Sequence, residues 1–197
     1  MKRTNPLLRF VMDNRRMLLF LLLPTVGCVC GICLYPTMQS QWTALLPITP
    51  IDGGFRAVFS QWITSCFQPM CLMLLLFVAG LSAFGTPIVL SVPVFWGLGL
   101  GLCEAWYMQR GISGLPVVAL VLLPHAVMEL VAVLMASSEA LRMTFLVASQ
   151  LLPHSSRGGG LFDDFRLYGM RFLLLIALIC GAGALDVLLR LLLRGLL

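Results

Sequence analysis

The run from Gly114 to Ala136 is apolar and long enough to cross a bilayer, yet Pro124, His125 and Glu129 stand at its middle. Ionisable side chains at bilayer depth are costly and turn toward protein or water rather than lipid. In a helix, His125 and Glu129 fall at i and i+4 and share one face. That face must meet other helices or a cavity, so the chain has to fold as several packed spans. Pro124 removes a backbone donor and crowds the preceding turn, which predicts a kink or break just before the polar pair.

Composition extends this requirement to the whole chain. Its 197 residues are 60% hydrophobic and 11% charged, and the mean hydropathy of +1.00 lies outside the balance of a soluble domain. We expect an all-α, polytopic transmembrane helical bundle, with residues 1–197 forming a single integral membrane domain. At about 20 residues per crossing, about five spans use up the length. The lipid bilayer is then the solvent, stability comes from helix packing within it, and nothing in the chain suggests a nucleic-acid partner.

Residues 1–16 hold Lys2, Arg3, Arg9, Arg15 and Arg16 against the single acid Asp13, a basic cytoplasmic N-terminus ahead of a first span from Met17 to about Tyr35. This run is longer than a signal-peptide core and has no clear small-x-small cleavage site, so an uncleaved span is expected. Val26-Gly27-Cys28 is similar to a lipoprotein box, but Thr25 stands where an aliphatic residue is preferred. Residues 36–64 are mixed in character and are expected as an external loop, with Trp42 and Trp62 at headgroup level and a short interfacial helix over 55–62.

Spans two and three, about 65–84 and 87–108, are joined only by Gly85 and Thr86. So short a link makes a helical hairpin, and Gly80, Gly85, Pro87, Gly97, Gly99 and Gly101 are its expected packing and turn residues. Gly97-Leu-Gly-Leu-Gly101 lacks the strand-turn-helix setting of a nucleotide loop. The opening stretch is the fourth span. Residues 137–171 are expected as a cytoplasmic loop at the membrane surface, with an amphipathic helix from Glu139 to Leu152 and a glycine-rich break after it. The fifth span runs from Phe172, with Asp186 and Arg190 paired at i and i+4 and Arg190 and Arg194 able to snorkel.

On this topology nine of the thirteen Lys and Arg residues lie on the N-terminal side, leaving Arg56, Arg110, Arg190 and Arg194 on the other. The bias predicts an N-terminus inside. The seven cysteines fall mostly within apolar runs, and most are expected as small buried hydrophobes. The group Cys28, Cys30 and Cys33 could be read as thiol metal ligands, but without a second Cys or His cluster packing is its expected role.

Three roles can be weighed for His125 and Glu129. They could fix helices through an interhelical hydrogen bond worth about 1 kcal/mol. They could serve a small-solute or ion transporter or channel subunit as an intramembrane polar site, in which case so small a bundle would need homo-oligomerisation. They could ligate a metal, but zinc hydrolases need a third protein ligand, and the only other histidine is His154 in the 137–171 segment. No catalytic, metal-ligating or cofactor-binding set is therefore assigned.

The sequence from Leu75 to Leu90, then Phe95-Trp-Gly-Leu-Gly-Leu-Gly101, then Leu122-Leu-Pro-His-Ala-Val-Met-Glu-Leu130, resembles the stage II sporulation protein M family in order, spacing and character. The basic N-terminus and first span match as well, so the resemblance covers most of the chain. Members often have Pro-His-Gly where this chain has Pro124-His125-Ala126. The resemblance implies a scaffold, not a hydrolase, in the mother-cell membrane at the sporulation septum. Its partners would be the membrane-anchored peptidoglycan hydrolases, stage II sporulation proteins D and P, recruited during engulfment of the forespore.

Overall fold

The computed structural model describes residues 15–42, 54–109, 111, 118–150 and 161–192. Among these there is no strand, and five helices are long and apolar enough to cross a membrane. They are α1 (Arg15–Trp42), α2 (Phe55–Gly80), α3 (Thr86–Met108), α4 (Leu123–Gln150, entered through a π-helical turn at Val118–Leu122) and α5 (Leu161–Leu192). Contacts run in register between α1 and α3 and in reverse between α2 and α5, so the chain changes direction at every connection.

The apolar core lies among α2, α4 and α5, around Met73, Leu76, Val133, Ala136, Phe172 and Ile179. α3 joins it through Val89, Val92 and Trp96. α1 packs almost wholly on α3. Large apolar side chains elsewhere, such as Phe67, Leu74, Leu173 and Leu174, point outward. In a soluble protein so much exposed apolar surface would be a liability, whereas around a transmembrane bundle it is the lipid-facing surface.

Glycine sets the α1–α3 contact. A Cβ at Gly27 would strike the Val94 carbonyl, one at Gly31 that of Leu98, one at Gly97 that of Pro24 and one at Gly101 that of Cys28. Two glycine pairs at i, i+4 thus face each other and let the backbones touch. Gly97 and Gly101 were expected to line the α2–α3 hairpin; they lie instead against α1. Gly85, in the turn, sits where a Cβ would overlap the Ala79 carbonyl, and Pro87 occupies the first turn of α3, where its missing donor costs nothing.

Helices extend further into both expected loops than the sequence indicates. α1 continues past Pro36, and the supposed interfacial helix over 55–62 is the opening of α2. At the other end α4 runs unbroken to Gln150 and α5 begins at Leu161, so much of 137–171 is packed helix. Ala140, Met143, Thr144 and Tyr168 are all buried there. The remaining parts of these segments, 43–53 and 151–160, lie outside the described residues, as do residues 1–14 and Arg194.

Candidate functional site: a polar cavity in the far half of the bundle

Each helix around the cavity contributes polar residues at helical spacing. On α2, Gln61, Thr64, Ser65 and Gln68 follow the i, i+3, i+4, i+7 pattern of one face. They lie about 9 to 20 Å from the start of the helix at 1.5 Å per residue. α4 adds His125 and Glu129, and α5 adds Asp186 and Arg190. α3 closes the space with Trp96, Gly99 and Cys103. The result is a cavity of about 400 Å3, in the half of the bundle away from the N-terminal end of α1.

Pro124 is the second residue of α4, directly after the π-helical turn. Its missing N–H falls where the regular ladder has not yet begun. The expected break before the polar pair therefore takes the form of this wider turn, a device common at functional sites.

His125 and Glu129 touch each other, Nε2 to Oε1 at 3.2 Å. His125 also donates from Nδ1 to the Ala182 carbonyl of α5 at 3.0 Å. A carbonyl only accepts, so Nδ1 carries a proton, and the Nε2–Oε1 contact is a hydrogen bond when a second proton lies between the two atoms. The other Glu129 oxygen accepts from Trp96 Nε1 of α3 at 3.3 Å. One pair of side chains on α4 thus fastens to both neighbouring helices.

The expected pairing of Arg190 with Asp186 is present, its Nε 2.9 and 3.0 Å from the two Asp186 oxygens. The side chain does not snorkel outward and is 7% exposed. Ser65 Oγ donates to Asp186 at 2.8 Å, which ties the pair to α2. The Arg190 Nη1 is buried without a partner. Among the described residues no group of three His, Cys, Asp or Glu side chains could hold a metal ion, and His154 lies outside them.

A second polar group holds the opposite end. Arg171 of α5 donates to Glu139 of α4, and Arg142 Nε lies 3.3 Å from the other Glu139 oxygen. Tyr168 donates to the Leu76 and Phe77 carbonyls at 3.3 and 3.1 Å, and Thr144 to those of Ala79 and Gly80 at 3.4 Å each. The last four carbonyls of a helix have no intrahelical partner. Side chains of α5 and α4 therefore cap the C-terminus of α2. Gly80 fits there because a Cβ would run into the Tyr168 hydroxyl.

Sequence reasoning singled out Pro124, His125 and Glu129 and named Asp186 and Arg190 only as a pair within their own helix. It missed the α2 face and the capping by Tyr168 and Thr144. The i, i+3, i+4, i+7 spacing of Gln61, Thr64, Ser65 and Gln68 was the available signal for the first, and nothing local marks the second.

No curated protein and no solved structure matches the chain at a significant level. The profile of stage II sporulation protein M matches residues 18–189, which takes in the whole of α2, α3 and α4 and nearly all of α1 and α5. On that match, the chain is a multi-pass membrane protein belonging to the stage II sporulation protein M family.

Proposed function

We propose that this protein is a membrane scaffold that recruits or anchors peptidoglycan-degrading sporulation proteins at the septum during engulfment of the forespore. The family match over residues 18–189 carries the reading. The geometry supports it: His125 pairs with Glu129, Glu139 with Arg171 and Asp186 with Arg190, and His125 and Glu129 also bond neighbouring helices, as in a frame. The partners would be stage II sporulation proteins D and P, met in the mother-cell membrane. With the N-terminus inside, α1 ends and α2 begins on the side where such hydrolases act.

The test is recovery of the detergent-solubilised protein from sporulating cells with mass spectrometry of what accompanies it. Membrane-anchored peptidoglycan hydrolases are the expected company. A clean preparation, at normal levels of the protein, would overturn the scaffold reading.

One observation favours a second reading, a small-solute transporter or channel subunit built on His125 and Glu129: the cavity these residues line. Flux through proteoliposomes that is lost in Glu129→Gln would support it, and the same background leak with and without protein would remove it.

A further inference from the structure

We infer that the cavity between α2, α3, α4 and α5 is a binding site for a small zwitterion, a molecule bearing an ammonium group and an oxyanion on a short linker. The first ground is unspent hydrogen-bonding capacity. At the opposite end of the bundle the donors of Tyr168, Thr144 and Arg171 find acceptors, and Glu139 Oε2, buried without a hydrogen bond, is itself an acceptor. Around the cavity, Arg190 Nη1 is buried and unpartnered, and among the described residues the amides of Gln61 and Gln68 form no hydrogen bond. A buried charged donor without an acceptor is costly. The guanidinium calls for an oxygen acceptor from outside the chain, and the amides of Gln61 and Gln68, which are not buried, stand free to assist it.

Charge selects the class. Asp186 balances Arg190, and with a proton between Nε2 and Oε1 the His125–Glu129 pair sums to zero on whichever side that proton sits. A lone anion or cation would leave the low-dielectric site unbalanced, whereas a zwitterion adds no net charge. Its oxyanion suits the Arg190 guanidinium, which lines the cavity and spends only its Nε on Asp186, with Gln68 in support. Its ammonium suits Glu129, whose carboxylate offers about four acceptor positions and uses two, at 3.2 and 3.3 Å.

Size agrees. About 400 Å3 lies near the lower end of the roughly 300 to 1,000 Å3 of small-molecule sites, and Trp96, Leu100 and Leu122 give the remainder an apolar wall. A free amino acid and a phosphoethanolamine lipid headgroup share this chemistry. The inference rests on the cavity and not on the scaffold reading, since ligand binding and partner recovery are separate measurements.

The test is isothermal titration of the full-length protein in detergent micelles with glycine and with glycerophosphoethanolamine, using acetate and methylammonium as single-charge controls. Saturable 1:1 binding of at least one zwitterion is expected, with neither control binding at the same concentration. Tighter binding of glycine would assign a free small molecule, and tighter binding of glycerophosphoethanolamine a lipid headgroup. Arg190→Gln should abolish binding, and Gln68→Leu, which leaves both ion pairs intact, should weaken it about tenfold by loss of one hydrogen bond to a charged group. If Arg190→Gln does not fold, Gln68→Leu decides. Absence of zwitterion binding, equal binding of acetate, or unchanged affinity in Gln68→Leu would overturn the inference.

Discussion

Tyr168 shows how a single hydroxyl joins two helices. Its ring stacks on Phe77 and meets Phe172 at centroid distances of 5.1 and 4.7 Å, while its oxygen caps carbonyls at the end of α2. Tyr168→Phe keeps the rings and removes the cap, so thermal unfolding in detergent should show a loss of about 1 kcal/mol, the net worth of one buried hydrogen bond. Gly80→Ala should cost more in the native background than in Tyr168→Phe, because the hydroxyl is what its Cβ would meet. Equal costs in the two backgrounds would contradict the packing described. Glu129 works in the same manner from α4, reaching Trp96 on one side while its partner His125 reaches Ala182 on the other. Its placement at i+4 from His125 was legible from spacing alone. The helices that receive these bonds were not, because spacing within one helix says nothing of which neighbour faces it.

At the scale of elements, the contact of α1 with α3 is the most demanding, since backbone meets backbone at four glycines. A side chain there cannot be absorbed by a rotamer change, as the atoms in the way are carbonyl oxygens. Gly97→Val should therefore separate the two helices and destabilise the protein by about 1 to 3 kcal/mol, the usual cost of overpacking. Cys28 Sγ lies 3.5 Å from Glu104 Oε2 across the same contact. Oxidation of Glu104→Cys should accordingly link α1 to α3 through Cys28, and adding Gly97→Val should abolish the link. An undiminished link would contradict the glycine contact.

The small residues of α3 were legible as a close-packing face, but their partner was not. Gly97 and Gly101 fit any helix that brings small residues at the same spacing, and chain proximity pointed to α2. Gly27 and Gly31 supply the true match from within the cysteine group. The expected loop over 36–64 failed for a related reason. Gln61 and Thr64 lower the local hydropathy and so mimic a loop, whereas with Ser65 and Gln68 they form one face of α2 turned to a cavity. Five spans, the hairpin link and the break at Pro124 could be read in advance because each depends on local chemistry.

Across the whole molecule, polar groups gather at two levels. One cluster, around Glu139 and Tyr168, pins α2, α4 and α5 at the end shared with the start of α1. The other surrounds the cavity in the opposite half and keeps unpaired donors. α1 ends and α2 begins at that second end, and it is where the scaffold reading places the docking of partners. Because α1 extends to Trp42 and α2 starts at Phe55, residues 43–53 can be exchanged without cutting into either helix or into the polar face of α2. The most direct test is therefore recovery of partners from sporulating cells after 43–53 is replaced by a neutral linker of equal length. The scaffold reading predicts that the peptidoglycan hydrolases found with the unaltered protein are lost while the amount of protein in the membrane is unchanged. Undiminished recovery with the replaced segment would contradict docking through this connection.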